Sequence, residues 1–137
     1  MKLLFLCVAN SARSQIAEGL AKQMLNSNVE IQSAGSEPSG KVHPGAVSIM
    51  ENCGIDISTQ TSKSVDDLPP DFIKNVDCVI TLCTDEVCPA ILSPVKKIHW
   101  PVPDPAAFKG DEQVTAFTHA RDFIKEKIES EFNEFLR

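Results

Sequence analysis

The segment Lys2-Leu-Leu-Phe-Leu-Cys-Val-Ala-Asn-Ser-Ala-Arg-Ser14 places Cys7 and Arg13 at the spacing C-x5-R, between an apolar run and a helical pattern. Leu3 to Cys7 reads as a buried strand, and Ile16, Ala17, Leu20, Ala21, Met24 and Leu25 fall on one face of a helix over Gln15 to Leu25. The intervening residues Val8, Ala9, Asn10, Ser11 and Ala12 therefore link a strand end to a helix N-terminus. At such a junction, unpaired backbone N–H groups and the helix dipole favour a tetrahedral anion. Arg13 adds a permanently charged, bidentate fork. The same field is expected to hold Cys7 as the thiolate, the form in which cysteine attacks. A C-x5-R spacing alone is a weak signal in a chain with five cysteines. The strand, loop and helix in that order give it weight against the plainer alternative, a buried strand-end cysteine with a surface arginine nearby.

Elements continue to alternate along the 137 residues, which are expected to form a single domain, 1–137. Asn26 to Asn28 make a turn and Val29 to Ala34 a second strand, followed by a loop from Gly35 to Val42. His43-Pro44 opens a helix running through Met50, with Gly54 soon after its end. Leu68 to Asn75 reads as a short helix, Asp77 to Cys83 as a third strand and Lys97 to Trp100 as a fourth. Phe117, Ala120, Ile124, Ile128, Phe132 and Phe135 space out a long terminal helix. Strands separated by helices require crossover connections. The expectation is an α/β fold, a small parallel sheet of about four strands with helices on both faces.

The net charge of -6 argues against nucleic acid or an anionic membrane as partner. No signal-peptide pattern is evident, and no apolar stretch approaches the ~20 residues that span a bilayer. A cytoplasmic location is expected, so that cysteines serve catalysis, redox chemistry or packing instead of structural disulfides. Cys53 and Cys78 read as core thiols. His43, His99 and His119 read as helix-cap, strand-end and helix-surface residues. No cofactor is expected, and a zinc site from Cys78, Cys83 and Cys88 lacks a paired histidine.

Parallel sheets bind ligands at the carboxyl ends of their strands, near where strand order reverses. Cys7 ends the first strand, Cys83 the third, and Asp104 follows the fourth, so all three are expected at one edge. Asp104 suits a general acid that protonates a leaving oxygen. An Asp-Pro pair is also a common turn initiator.

Cys7-Val-Ala-Asn-Ser-Ala-Arg-Ser14 with Asp104-Pro105 about a hundred residues later resembles the low-molecular-weight protein tyrosine phosphatase family, and within it the arsenate reductases built on that fold. The reductase branch is suggested by Ser14-Gln-Ile-Ala-Glu-Gly19, Ser33-Ala-Gly35, Val42-His-Pro44, Gly54-Ile-Asp-Ile57, Thr81-Leu-Cys83 and Lys96-Lys-Ile-His-Trp100. The resemblance implies that Cys7 attacks arsenate to give a thiol-arsenic adduct held by Arg13 and the loop from Val8 to Ser14, with Asp104 assisting loss of water or hydroxide. It further implies that Cys83 attacks the Cys7 sulfur and releases arsenite. Cys88 then takes over the bridge for reduction by thioredoxin, across a mobile segment from Thr84 to Leu92.

The chain departs from the family pattern at several points. Ala9 stands where glycine is usual, which requires an allowed φ there, and Ala12 replaces a second loop cysteine. Four residues separate Cys83 from Cys88, fewer than in the thioredoxin-linked pattern, so glutaredoxin coupling stays open. Ala106, Ala107 and Phe108 replace the aromatic grip on an aryl substrate. In the resemblance Glu18 and Ser33 lie near a cation site of some reductases. Lys63 stands where those enzymes have a carboxylate, so that its ammonium replaces the metal. Asn10 and Ser14 are expected to support the loop, Asn10 through tolerance of a left-handed backbone and Ser14 through a hydroxyl on the Cys7 sulfur. Two alternatives remain: a phosphomonoesterase that uses only Cys7, Arg13 and Asp104, and a non-catalytic oxyanion- or redox-sensing module.

Overall fold

The computed structural model describes residues 1–84 and 95–137. Cys88 and most of the Thr84 to Leu92 segment lie outside the described residues.

Four strands, β1 (Lys2–Cys7), β2 (Glu30–Gly35), β3 (Cys78–Thr81) and β4 (Lys96–His99), pair in parallel in the order β2-β1-β3-β4. Among the described residues four α-helices connect and flank them: α1 (Arg13–Met24), α2 (Pro44–Glu51), α3 (Pro70–Asn75) and α4 (Gly110–Glu131). Alternation along β1 sends Leu3, Phe5 and Cys7 into a core shared with Ile16, Leu20, Phe117 and Ile124 of α1 and α4. Leu4 and Leu6 point to the opposite face, against Leu68, Phe72 and Val76 around α3. Burial on both faces is why β1 reads as an unbroken apolar run. The chain moves to one side of β1 for β2 and to the other for β3, so strand order reverses at the carboxyl end of β1, where Cys7 lies.

Helix termini follow local chemistry. Pro44 opens α2 while His43 Nδ1 accepts the Gly45 amide at 2.9 Å, and Gly54 takes φ +79° beyond its end. Arg137 closes α1 by donating Nε to the Gln23 carbonyl and Nη2 to that of Lys22, both at 2.9 Å. Among the described residues no helix is long and apolar enough to cross a membrane.

Three expectations need correction. Strand β3 ends at Thr81, short of Cys83, because the ladder with β4 slips beyond His99: Trp100 N still donates to Thr81 O (2.8 Å), but Val102 N donates to Leu82 O (3.1 Å), one residue short of the regular position. On the other side Leu82 N still donates to Leu6 O of β1 (2.9 Å). The terminal helix ends at Glu131, and Phe135 sits in a separate 3-10 turn, Asn133–Phe135. Cys53 is exposed, not core, since α2 stops at Glu51 and leaves it in the following turn with its Sγ donating to the Met50 carbonyl.

Candidate active site

The loop between β1 and α1 is built from outside inwards. Its carbonyls are engaged by flanking segments: Val8 O by Glu37 N (2.9 Å), Ala9 O by Ser39 N (3.0 Å) and Ser62 Oγ (3.2 Å), Ser11 O by His43 N (2.8 Å). With the carbonyls turned outwards, the amide face of the loop remains for an anion. Asn10 is the only non-glycine with positive φ among the described residues (φ +46°), so Ala9 avoids the strain its side chain would bring. Gly35, opposite Cys7 in the ladder, lies so close beneath the loop that a Cβ there would come within 2.3 Å of the Val8 carbonyl oxygen.

Cys7 is buried at the strand end, a free thiol whose Sγ lies 2.8 Å from Ser14 Oγ. Ser14 in turn accepts from Asn10 Nδ2 at 2.7 Å. Arg13 is 4% exposed, and its Nη1 donates to the Val102 carbonyl (3.0 Å) and more distantly to that of Leu82 (3.4 Å). These carbonyls lie beyond β4 and β3, so the strand ends themselves aim the guanidinium. Asp104 holds Oδ1 on the Ala106 amide (3.0 Å), making the turn, and brings Oδ2 to 4.0 Å from Arg13 Nη2. Cys7, Arg13 and Asp104 thus share one edge. Cys83 follows two residues after β3 at the same edge, next to the Leu82 carbonyl that faces Arg13. It is 1% exposed and disulfide-bonded.

Behind the loop, Glu18 is buried and accepts from Ser33 Oγ (2.5 Å) and Lys22 Nζ (2.6 Å). Lys63 Nζ lies 3.8 Å from Glu18 Oε1, where burial holds the ammonium below the ordinary lysine range and the Glu18 charge partly opposes that shift. A metal cation beside Glu18 would face this ammonium at like charge, so these residues do not fit one. Elsewhere among the described residues no group of three His, Cys, Asp or Glu is placed to hold a metal. Cys78 is a core thiol, its pKa pushed up to about 11 chiefly by burial. His43 caps α2, His99 ends β4 with its Nδ1 2.7 Å from Thr81 Oγ1, and His119 lines an apolar cavity under the Asp104 loop.

The family model of low molecular weight phosphotyrosine protein phosphatases matches residues 2–136. The chain belongs to the low molecular weight phosphotyrosine protein phosphatase family. An arsenate reductase of Bacillus licheniformis is 46% identical over 128 residues, covering 90% of this chain and 89% of the relative. A solved arsenate reductase in its phosphate-binding state superposes with a TM-score of 0.78 at 32% identity, covering 98% of each chain. A thioredoxin-dependent arsenate reductase of Corynebacterium glutamicum gives a TM-score of 0.71 at 31% identity, covering 97% of this chain and 62% of that one. The family's sheet, with helices on both faces, is the architecture described above.

Sequence reasoning missed the strap that holds the loop from behind. Gln60, Thr61, Ser62 and Lys63 reach Gln15, Ala9 and Asn10 through side chains and backbone. It also missed the Val102 and Leu82 carbonyls that orient Arg13. The polar run Ser58 to Ser64 between apolar stretches was the available signal for the strap.

Proposed function

We propose that this protein is a thiol-dependent arsenate reductase of the cytoplasm. The observation that carries the reading is the free Cys7 at the reversal point of the sheet, with Ser14 Oγ 2.8 Å from its sulfur and Arg13 aimed by the Val102 carbonyl. The loop residues Val8, Ala9, Asn10, Ser11, Ala12, Arg13 and Ser14 bind the oxyanion. Cys7 thiolate attacks arsenate, forming a sulfur-arsenic bond while an oxygen leaves as water, protonated by Asp104. Cys83 thiolate then attacks the Cys7 sulfur. A sulfur-sulfur bond forms, the sulfur-arsenic pair of electrons passes to arsenic, As(V) becomes As(III), and arsenite leaves. Cys88 attacks the Cys83 sulfur and frees Cys7, and a dithiol donor, thioredoxin or glutaredoxin, reduces the Cys83-Cys88 pair. Support for the redox half comes from the disulfide already on Cys83 and from the arsenate reductases among the relatives. Lys63 supplies the positive charge beside Glu18 that a metal would otherwise bring.

The same Cys7, Arg13 and Asp104 would also hydrolyse a phosphomonoester through a phosphocysteine, and the family to which the chain belongs favours this as a second activity. Arsenate and p-nitrophenyl phosphate assayed side by side separate the two. Cys7→Ser is expected to abolish both reactions, since a serine hydroxyl is not ionised at neutral pH. Cys83→Ser is expected to form the Cys7 adduct and keep phosphatase turnover while losing reductive release of arsenite. Cys88→Ser is expected to give one arsenite per molecule and then stall, with mass spectrometry finding Cys7 bridged to Cys83. Arsenate reduction by Cys83→Ser at the wild-type rate overturns the reading. Oxyanion binding without turnover of either substrate would leave only a sensing module.

A further inference from the structure

We propose that Gln15, backed by Gln60, is a positioning residue that fixes the left-handed Asn10 and so keeps the Ser14 hydroxyl proton directed at the Cys7 sulfur. The inference rests on Cys7 being the nucleophile. It concerns what keeps that nucleophile in a reactive setting.

Asn10 is fully buried with φ +46°, a conformation that a non-glycine residue holds only where its surroundings over-determine it. All its side-chain capacity is used. Oδ1 accepts from Lys63 N (2.8 Å) and Gln15 Nε2 (3.1 Å), while Nδ2 donates to Ser14 Oγ (2.7 Å) and Ser33 Oγ (3.0 Å). The Lys63 amide can only donate, which settles which end of the Asn10 amide is oxygen. Nδ2 must then face the two hydroxyls. Ser14 Oγ, having accepted from Asn10, has its single proton for Cys7 Sγ at 2.8 Å.

Gln15 locks this arrangement from the other side. It is fully buried, and its Nε2 faces three acceptors: the Asn10 carbonyl (3.0 Å), Asn10 Oδ1 (3.1 Å) and the Thr61 carbonyl (2.9 Å). One amide nitrogen with two protons therefore pins both the backbone and the side chain of Asn10 and ties them to the strap. Gln60 decides the orientation of Gln15, since its Nε2 donates to Gln15 Oε1 (2.8 Å) and to the Gln15 carbonyl (3.1 Å). Turning the Gln15 amide over would set its oxygen against three others and its NH2 against that of Gln60. Neither glutamine touches the anion or the sulfur. Their effect passes through Asn10 and Ser14, and removing Gln15 leaves the Asn10 amide held only by Lys63 N and the two serine hydroxyls and its carbonyl untied from the strap, which loosens the donor on Ser14.

The test is the rate at which iodoacetamide alkylates Cys7 in the full reduced chain, read on the Cys7 peptide by mass spectrometry, for wild type, Gln15→Leu and Gln60→Leu. At neutral pH, Gln15→Leu is expected to react about tenfold more slowly than wild type, and Gln60→Leu more slowly by a smaller factor. At strongly alkaline pH, where a thiol ionises in any setting, the three rates are expected to converge. A merely space-filling glutamine would lower the melting temperature and leave the neutral-to-alkaline rate ratio unchanged, and that result in both variants overturns the proposal. If Gln15→Leu fails to fold, the half-buried Gln60 position decides, and an unchanged ratio in Gln60→Leu is the overturning result. Wild-type Cys7 that reacts at neutral pH like a free cysteine would instead overturn the assignment of the nucleophile, and this inference with it.

Discussion

Asp104 divides its carboxylate between two tasks, one oxygen making the turn with the Ala106 amide and the other reaching toward Arg13. The turn initiator and the proposed acid are therefore the same residue, and substitution can part them. Asp104→Asn keeps an acceptor for the Ala106 amide and loses the proton donor, so single-turnover rates are expected to fall by roughly 10²- to 10⁴-fold with little change in melting temperature. Cys78 offers a test of a different kind. Its pKa is raised by burial from 9.0 to about 11, so between those values the folded chain holds a proton that the unfolded chain has released. Stability contributed by this thiol is full below about pH 9 and is lost as pH rises through about 11. Urea midpoints of Cys78→Ala measured across that range are expected to fall less steeply with pH than those of wild type.

At the level of elements, the loop depends on a close fit over the end of β2. Gly35→Ala would drive a methyl group into the backbone of Val8 and Asn10, which cannot swing aside as a side chain can. The expected result is a loss of about 10²-fold in activity, the scale on which a misplacement near 1 Å acts on catalysis. A melting curve should show a destabilisation of about 1–3 kcal/mol from overpacking. What could be read from the chain alone follows the same division. The strand-loop-helix around Cys7, the parallel sheet and the core face of α4 come from periodicity and spacing, which are local. The strap over Gln60 to Lys63 comes from bonds between residues 45 to 53 positions apart in an irregular polar segment, and no local pattern encodes it. The end of β3 is hidden for a related reason: Leu82 and Cys83 look like strand, but the ladder with β4 slips by one residue beyond Thr81, which nothing within β3 itself encodes. The apolar neighbours of Cys53 suggest core, although two residues past the end of a helix the same spacing points to solvent.

The whole molecule carries a net charge of -6, and in the proposed function the attraction for the oxyanion is confined to the loop and Arg13. Long-range repulsion and short-range binding then respond oppositely to salt. Raising ionic strength from low values to roughly 0.15 M is expected to increase kcat/KM for arsenate a few-fold as the repulsion is screened. Potassium and sodium chloride are expected to act alike because Lys63 already neutralises Glu18, and a specific requirement for potassium would contradict that role. Packing of the sheet also sorts the thiols by access, with Cys7 and Cys78 inside and Cys53 outside. A solution of this protein left without reductant should therefore slowly pair up through Cys53, and a bulky thiol dye added to the native fold should stain that position ahead of Cys78. Any ledger of sulfhydryls consumed per arsenite will carry this bystander, and a Cys53→Ser background is the form in which stoichiometry is best counted.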